Sequence, residues 1–415
     1  MTARRRAPRL SYLFWCVCVL LSLALAGCDM AGGGVGSPPA EDGSGTPGGP
    51  NAPAPSPGEG GGDSGGGGQE GPAPIPGQLT AGEWRDLDNW PFWLTLMNDQ
   101  EWSKLQGYWS FYPTERLAVH VVSGDQDVSD ARVVLEDAQG TAVWEARTDA
   151  QGRADVFFKL LDEAPGPYAL TVTTASGTET VADVFPGGDE VLEVDLPAAP
   201  TLSNTLDLMF VVDTTGSMGD ELEYLKVELQ DVIDRVEAAS NQTLDLRLSV
   251  NFYRDRGDEY VVRSFPFSTD VPAVLVQLAA QRSDGGGDYP EAVEAALEDA
   301  ISGHQWSADA RARLLFLVLD APPHHQQDIL GTLQDVTRRA ARQGIRIVPV
   351  ASSGVDKETE FLLRFLGIST GGSYVFLTDD SGIGNDHIEP TIGQYEVELL
   401  NDLLVRMINE AVTSF

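Results

Sequence analysis

From residue 204 onward, short apolar runs of strand length alternate with longer stretches of helical periodicity, and nothing else in the chain constrains its fold as much. The strand-like runs are 208–212, 244–252, 313–319, 345–350 and 374–377, with a short edge run at 260–265. Helical stretches lie at 218–240 and near 270–281, 289–302, 326–343, 357–367 and 393–412. Runs that are apolar at successive positions suit strands buried on both faces. Their alternation with helices predicts an α/β, doubly wound, mostly parallel sheet over residues 204–415. Ligands of such sheets bind beyond the carboxyl ends of the strands.

The chemistry-bearing residues cluster at those ends. The first run stops in Asp213, Thr215 and Ser217, one carboxylate and two hydroxyls on alternate residues. The 313–319 run stops in Asp320. Between them lies Gly285-Gly286-Gly287-Asp288-Tyr289-Pro290-Glu291, followed by a helical run. Pro290 and Glu291 fit the first turn of a helix, where a missing N–H and a negative charge are both tolerated. Taken singly, each piece has a plain structural explanation as a helix cap, a flexible loop or a strand end. All three, in this order between apolar strands and helices, point to a site for a hard divalent cation with oxygen ligands.

These three pieces resemble the von Willebrand factor A domain and its metal-ion-dependent adhesion site. Thr215 stands where that family usually has serine, and Asp288 where most relatives have threonine. A Gly-Gly-Gly-Asp-x-Pro-Glu loop is found in a subset of such domains. The resemblance implies one Mg²⁺ or Ca²⁺ held by Asp213, Thr215, Ser217, Asp288 and Asp320, and metal-dependent adhesion to a protein partner. Tyr253, Arg254 and Asp255 follow the second strand, and His324 and His325 follow the Asp320 loop. All five are candidates for partner binding at the same edge. His387 joins the two histidines as an option for a second metal.

A second resemblance competes. Asp213-Thr214-Thr215-Gly216-Ser217 is similar to the phosphorylated turn of P-type ATPases and haloacid-dehalogenase phosphatases, and the segment from Ser381 to Asp386 to their later Gly-Asp loop. Asp213 would then be a nucleophile. Thr214 in place of lysine and Ile383 in place of aspartate count against it. No nucleophile–base pair, phosphate loop or histidine-centred triad is visible, so the chain is not expected to be an enzyme. A metal-independent membrane scaffold is the remaining alternative.

Arg4, Arg5, Arg6 and Arg9 precede an apolar stretch, 10–25, of signal-sequence length, which ends Leu25-Ala26-Gly27-Cys28. This resembles a bacterial lipoprotein signal. It implies a signal peptide over 1–27, lipidation of Cys28, and an extracytoplasmic protein anchored to a bacterial membrane, in the periplasm or at the cell surface. Cys16 and Cys18 fall in the removed segment, so no disulfide is expected. Residues 28–78 are rich in Gly, Pro and Ser and cannot bury enough surface to fold. As a flexible tether of about 50 residues they would span roughly 40 Å. The formal net charge is −36; cleavage removes four arginines and no acid, leaving −40. That disfavours nucleic acid as a partner.

Residues 79–200 open with Trp84, Trp90, Trp93 and Trp102, expected to be core rather than a sugar platform. Alternating runs follow at 117–122, 131–135, 142–146, 152–158, 168–173 and 191–195. Short strands at this spacing predict a small all-β sandwich ahead of the α/β domain. The Thr148-Asp149-Ala150-Gln151-Gly152 turn resembles carboxypeptidase-regulatory-like and immunoglobulin-like modules.

Overall fold

The computed structural model describes residues 4–6 and 73–413, apart from 162–164, 199–200, 202 and 241–243. The signal segment beyond Arg6, Cys28 and nearly all of the tether lie outside the described residues. In chain order the elements are β1 (Arg4–Arg6), β2 (Thr80–Trp84), α1 (Trp90–Met97), α2 (Gln100–Trp109), β3 (Arg116–Ser123), β4 (Gln126–Asp127), β5 (Arg132–Glu136), β6 (Ala142–Arg147), β7 (Arg153–Phe157), β8 (Tyr168–Thr174), β9 (Gly177–Val184), β10 (Val191–Asp195) and β11 (Thr205–Asp213). There follow α3 (Leu222–Ser240), β12 (Asp245–Tyr253), β13 (Val262–Arg263), α4 (Val271–Ala279), α5 (Val293–Glu298), β14 (Ala312–Leu319), α6 (Gln327–Gln343), β15 (Ile345–Ala351), α7 (Lys357–Thr370), β16 (Tyr374–Leu377), β17 (Val397–Leu399) and α8 (Leu400–Val412).

The apolar runs form the expected parallel sheet. Strands β12, β11, β14, β15 and β16 lie side by side and parallel. Every residue of β14 is buried, as a strand covered on both faces requires. One apolar cluster on each face unites the sheet with its helices. The antiparallel β13 borders β12. Beyond β16 come β2 and β17, also antiparallel.

The position of β2 corrects the expected boundary at residue 79. This strand belongs to the sequence block read as a separate sandwich, yet it pairs with β16 from Tyr374↔Trp84 to Leu377↔Ala81. Two features hold it there. The buried Glu228 carboxylate accepts the N–H groups of Gly77, Gln78 and Leu79 at 2.8, 2.7 and 3.0 Å. Gly82 leaves room for the ring of Phe376, which a Cβ would meet at 2.5 Å.

Helices α1 and α2 carry the tryptophans into the core rather than to a surface. Trp93 and Trp102 pack on Phe361 of α7 and against the guanidinium of Arg364. Arg364 is buried and paired with Asp86 at 2.6 Å and Glu360 at 3.2 Å. Phe111 stacks on Phe365 at 3.8 Å between centroids. The rest of the N-terminal region is a mixed, mainly antiparallel β-rich layer. One sheet has the order β1-β10-β3-β4, with β7 also on β3; the other is β6-β5-β8-β9. The β10–β3 pair is parallel. Residues 74–415 behave as one compact unit rather than two. Among the described residues no helix is long and apolar enough to cross a membrane.

Candidate functional site

Parallel pairing fixes the site. Asp213 lies opposite Tyr253 at the end of β12, and Val212 opposite Val318, so Asp213 and Asp320 leave neighbouring strands at one edge. Asp213 is fully buried. Its Oδ1 accepts the Thr215 N–H at 2.8 Å and the Thr215 hydroxyl at 2.7 Å. Thr215 Oγ1 lies 3.1 Å from Ser217 Oγ. The glycine loop closes over this turn: the Gly216 N–H donates to the Gly285 carbonyl at 3.1 Å, and the Asp284 N–H to the Thr214 carbonyl at 3.1 Å. Gly285 and Gly286 have φ of +75° and +66°, a backbone region that glycine enters without strain. Asp258 fixes the loop by accepting the Gly286 N–H at 2.9 Å.

Several polar atoms here are buried without a partner: Asp213 Oδ2, Asp320 Oδ1, Glu291 Oε2 and the Tyr253 hydroxyl. Burial raises the pKa of both Asp213 and Asp320, and for Asp320 the Asp213 charge adds to it. Glu291 is pushed up to about 9, by burial first and then by the charges of Asp213, Asp255 and Asp320. Burial and the neighbouring carboxylates also raise Tyr253 well above the usual phenol range. Buried oxygens that repel one another and lack hydrogen-bond donors are what a hard divalent cation would satisfy. Among the described residues no three His, Cys, Asp or Glu side chains close into a ready-made metal cage. The donor set that fits is therefore two carboxylates, Asp213 and Asp320, with the hydroxyls of Thr215 and Ser217.

Asp288, read from the sequence as a ligand, is exposed, as is Ser217. Glu291, three residues on, turns inward instead. The reason lies in the backbone: α5 begins only at Val293. Glu291 is extended, bridges to Pro323 and donates its N–H to the Pro322 carbonyl at 2.9 Å. The expected helix start at Pro290 is a strand-like contact with the Asp320 loop, and that contact aims the Glu291 side chain at the acidic cluster.

The five residues expected to meet a partner are mostly committed inside the protein. Tyr253 is fully buried beneath the cluster. Arg254 is buried, with Nε donating to the Thr214 carbonyl at 3.1 Å and Nη2 to the Arg282 carbonyl at 2.8 Å, so it braces the loops. The Asp255 carboxylate is buried and lies 2.9 Å from His324 Nε2. His325 stacks on Tyr108 at 3.8 Å and bonds that residue's carbonyl, tying the loop to α2. Of the five, His324 keeps partial exposure at this edge and His325 is exposed. His387 lies between Glu221 at 3.0 Å and Asp379 at 2.8 Å.

A doubly wound α/β domain with an acidic, hydroxyl-bearing cluster at its carboxyl edge is thus defined by the geometry. Residues 207–386 match the von Willebrand factor type A domain family, and such a domain is present there. Two curated proteins are similar over part of the chain. One is named as an ariadne-like RING finger protein of Acanthamoeba polyphaga mimivirus, 28% identical over 30% of this chain and 12% of that protein. The other is the alpha-protein kinase vwkA of Dictyostelium discoideum, 29% identical over 29% of this chain and 19% of that protein. This chain thus spans less than a fifth of either relative's length. Among solved structures, proximal thread matrix protein 1 from the mussel byssus matches at 14% identity, covering 51% of this chain and 46% of that one, with a TM-score of 0.34.

Proposed function

We propose that this protein binds another protein through a divalent cation, Mg²⁺ or Ca²⁺, at Asp213, Thr215, Ser217 and Asp320. A von Willebrand factor A domain generally mediates protein–protein interaction, which supports the reading. The observation that carries it is the pair of buried, unpartnered carboxylate oxygens, Asp213 Oδ2 and Asp320 Oδ1, on adjacent strand ends. A bound cation would supply an electron-poor position that a partner's oxygen can fill. Glu291 would add negative charge behind the ligands once the cation displaces its proton, and the exposed Ser217, Asp288 and Tyr289 would form the rim. The reading is non-enzymatic.

The proposal also places the protein outside the cytoplasm of a bacterium, lipid-anchored at Cys28, with the β-rich region as a sandwich-like stalk. The support is the sequence from Arg4 to Cys28 alone. Cleavage before Cys28 would remove β1, leaving β10 unpaired on that side.

Calorimetric titration of Mg²⁺ and Ca²⁺ into the full chain tests the site. Single-site binding abolished by Asp213→Ala and by Asp320→Ala is expected; binding that survives both rejects it. Detergent-phase partition tests the anchor. Cys28→Ser should move the protein to the aqueous phase, and retention with the first 27 residues uncut would show a membrane span instead.

A further inference from the structure

At the opposite edge of the sheet, Arg346 occupies a position otherwise reserved for apolar residues. It is the second residue of β15 and lies opposite Leu314 of β14; the next pair on that face is Val348 and Phe316. Side chains two apart on a strand share a face. All four line a cavity of about 1000 Å³. Trp84 of β2, Met407 of α8 and the hairpin residues Asp149 and Arg153 complete its wall. The cavity therefore needs both the β-rich layer and the α/β domain. Leu314 lies on β14 and Asp320 just past its end, six residues on, so the two sites are separated by about 20 Å.

The arginines around Arg346 each hold a carboxylate in direct contact, whereas Asp149, the main counter-charge of Arg346, makes no such contact with it. Arg85 donates to Asp88 at 2.6 Å, Arg153 to Asp149 at 3.1 Å and Arg313 to Asp130 at 2.9 Å. Arg346, largely buried, has no hydrogen bond or ion pair to any described residue. Burial pulls its pKa down, and the charges of Arg85, Arg153 and Arg313 press the same way against Asp149. A guanidinium does not shed its proton in a protein, so the strain is relieved by an anion rather than by titration. Its planar fork suits the two oxygens of a carboxylate. Glu83, Asp88, Glu396 and Glu410 also border the cavity and would repel a multiply charged group. The part-exposed Tyr395 and Met407, with Trp84, give the cavity an apolar stretch of wall, and its volume is at the upper end for small-molecule sites, so a ligand with an apolar body fits it.

We propose that this cavity binds a small organic monocarboxylate, its carboxylate on Arg346 and its apolar body along Trp84, Tyr395 and Met407. The probe is 4-phenylbutyrate, titrated calorimetrically into the full chain beside 4-phenylbutan-1-ol and inorganic phosphate. The acid should bind one-to-one and at least tenfold more tightly than the alcohol, and Arg346→Met should erase that preference. Phosphate should give no heat at concentrations that saturate the acid. Equal binding of acid and alcohol, or an Arg346→Met variant that keeps the preference, overturns the proposal. Phosphate binding as tight as the acid's overturns it too, because the site would then read charge alone. Circular dichroism reports whether Arg346→Met folds. If it does not, Met407→Trp, which fills the apolar end and leaves Arg346 in place, decides: loss of acid binding supports the site and retention rejects it.

Discussion

At the residue scale the acidic cluster turns on which side chain of the Gly285–Glu291 loop faces inward. Glu291 lies among like charges with one oxygen unpartnered, whereas Asp288 is exposed. Each unit of negative charge near a cation raises its affinity, more so in a partly desolvated site. With its pKa pushed up to about 9, Glu291 carries its charge fully only in alkaline solution or once a cation displaces its proton, so Glu291→Gln should weaken Mg²⁺ or Ca²⁺ binding about tenfold, close to 1.4 kcal/mol, at about pH 9.5 and by less at about pH 7. Asp288→Thr should change it less than about twofold, since an exposed charge is screened by water and salt. Titration calorimetry on the two variants separates them, and a larger effect at Asp288 would return that residue to the coordination shell. His387 supports a pH prediction. Burial alone would lower its pKa, but hydrogen bonds to Glu221 and Asp379 outweigh burial and raise it. A histidine raised in the folded state adds stability that is full below its unfolded pKa and is lost as pH rises through the folded value. His387→Asn should then cost about 1–2 kcal/mol at pH 5.5 and markedly less at pH 9. Denaturant melts at the two pH values check this, and an equal cost at both would mean that the histidine acts as a neutral hydrogen-bonding group.

At the element scale the most consequential contact is the capture of residues 77–79 by α3. Glu228 satisfies three consecutive backbone N–H groups from a segment about 150 positions earlier. Losing that acceptor leaves donors in a buried setting, each costing about 1–3 kcal/mol. Glu228→Ala should lower stability by roughly 2–4 kcal/mol and open the chain near Leu79 to protease before the rest unfolds; global and local loss together would argue that β2 is not a separable unit. The sequence shows why β2 was hard to read. Strands β11 and β14 announce themselves as continuous apolar runs, because both faces are covered. Strand β2 is five residues, Thr80–Trp84, with a glycine at its centre, and its partner β16 is nearly 300 positions away. No local period encodes such a pairing. The same limit hid Glu291, whose spacing fits a helix start until the bridge to Pro323 is known. Strand β9 was missed for another reason: Gly177–Val184 lies at a sheet edge with half its residues exposed, so polar residues interrupt its apolar ones. Asp213, Asp320 and the triple glycine were legible because strand ends in a parallel sheet converge whatever the loops do.

At the scale of the whole molecule the question is whether the β-rich layer and the α/β domain are separate bodies. Composition suggests two blocks meeting near residue 200. The contacts argue for one. Strand β2 completes the larger sheet, α1 and α2 cover α7, and Asp86 neutralises Arg364, whose side chain is fully buried. Removing one partner of a buried ion pair costs about 3–5 kcal/mol, because the other charge is left unpaired in a low-dielectric setting. Cutting the chain at residue 204 would take Asp86 from Arg364, leaving Glu360 as its remaining carboxylate, and would also bare the aromatic face of Phe361 and Phe365 and the edge of β16, whose unpaired N–H and C=O groups invite aggregation. Residues 73–413 should accordingly unfold in one calorimetric transition, with the van't Hoff and calorimetric enthalpies equal. A fragment of residues 204–413 should aggregate, or melt at least about 10 °C lower, as a loss of several kcal/mol in a domain of this size implies. Asp86→Ala in the longer chain should lower the midpoint while keeping a single transition, since the damage is shared by the whole unit. Two transitions in residues 73–413, with the upper one preserved unchanged in the 204–413 fragment, would instead make the α/β domain an independent body and β2 a dispensable addition to its sheet.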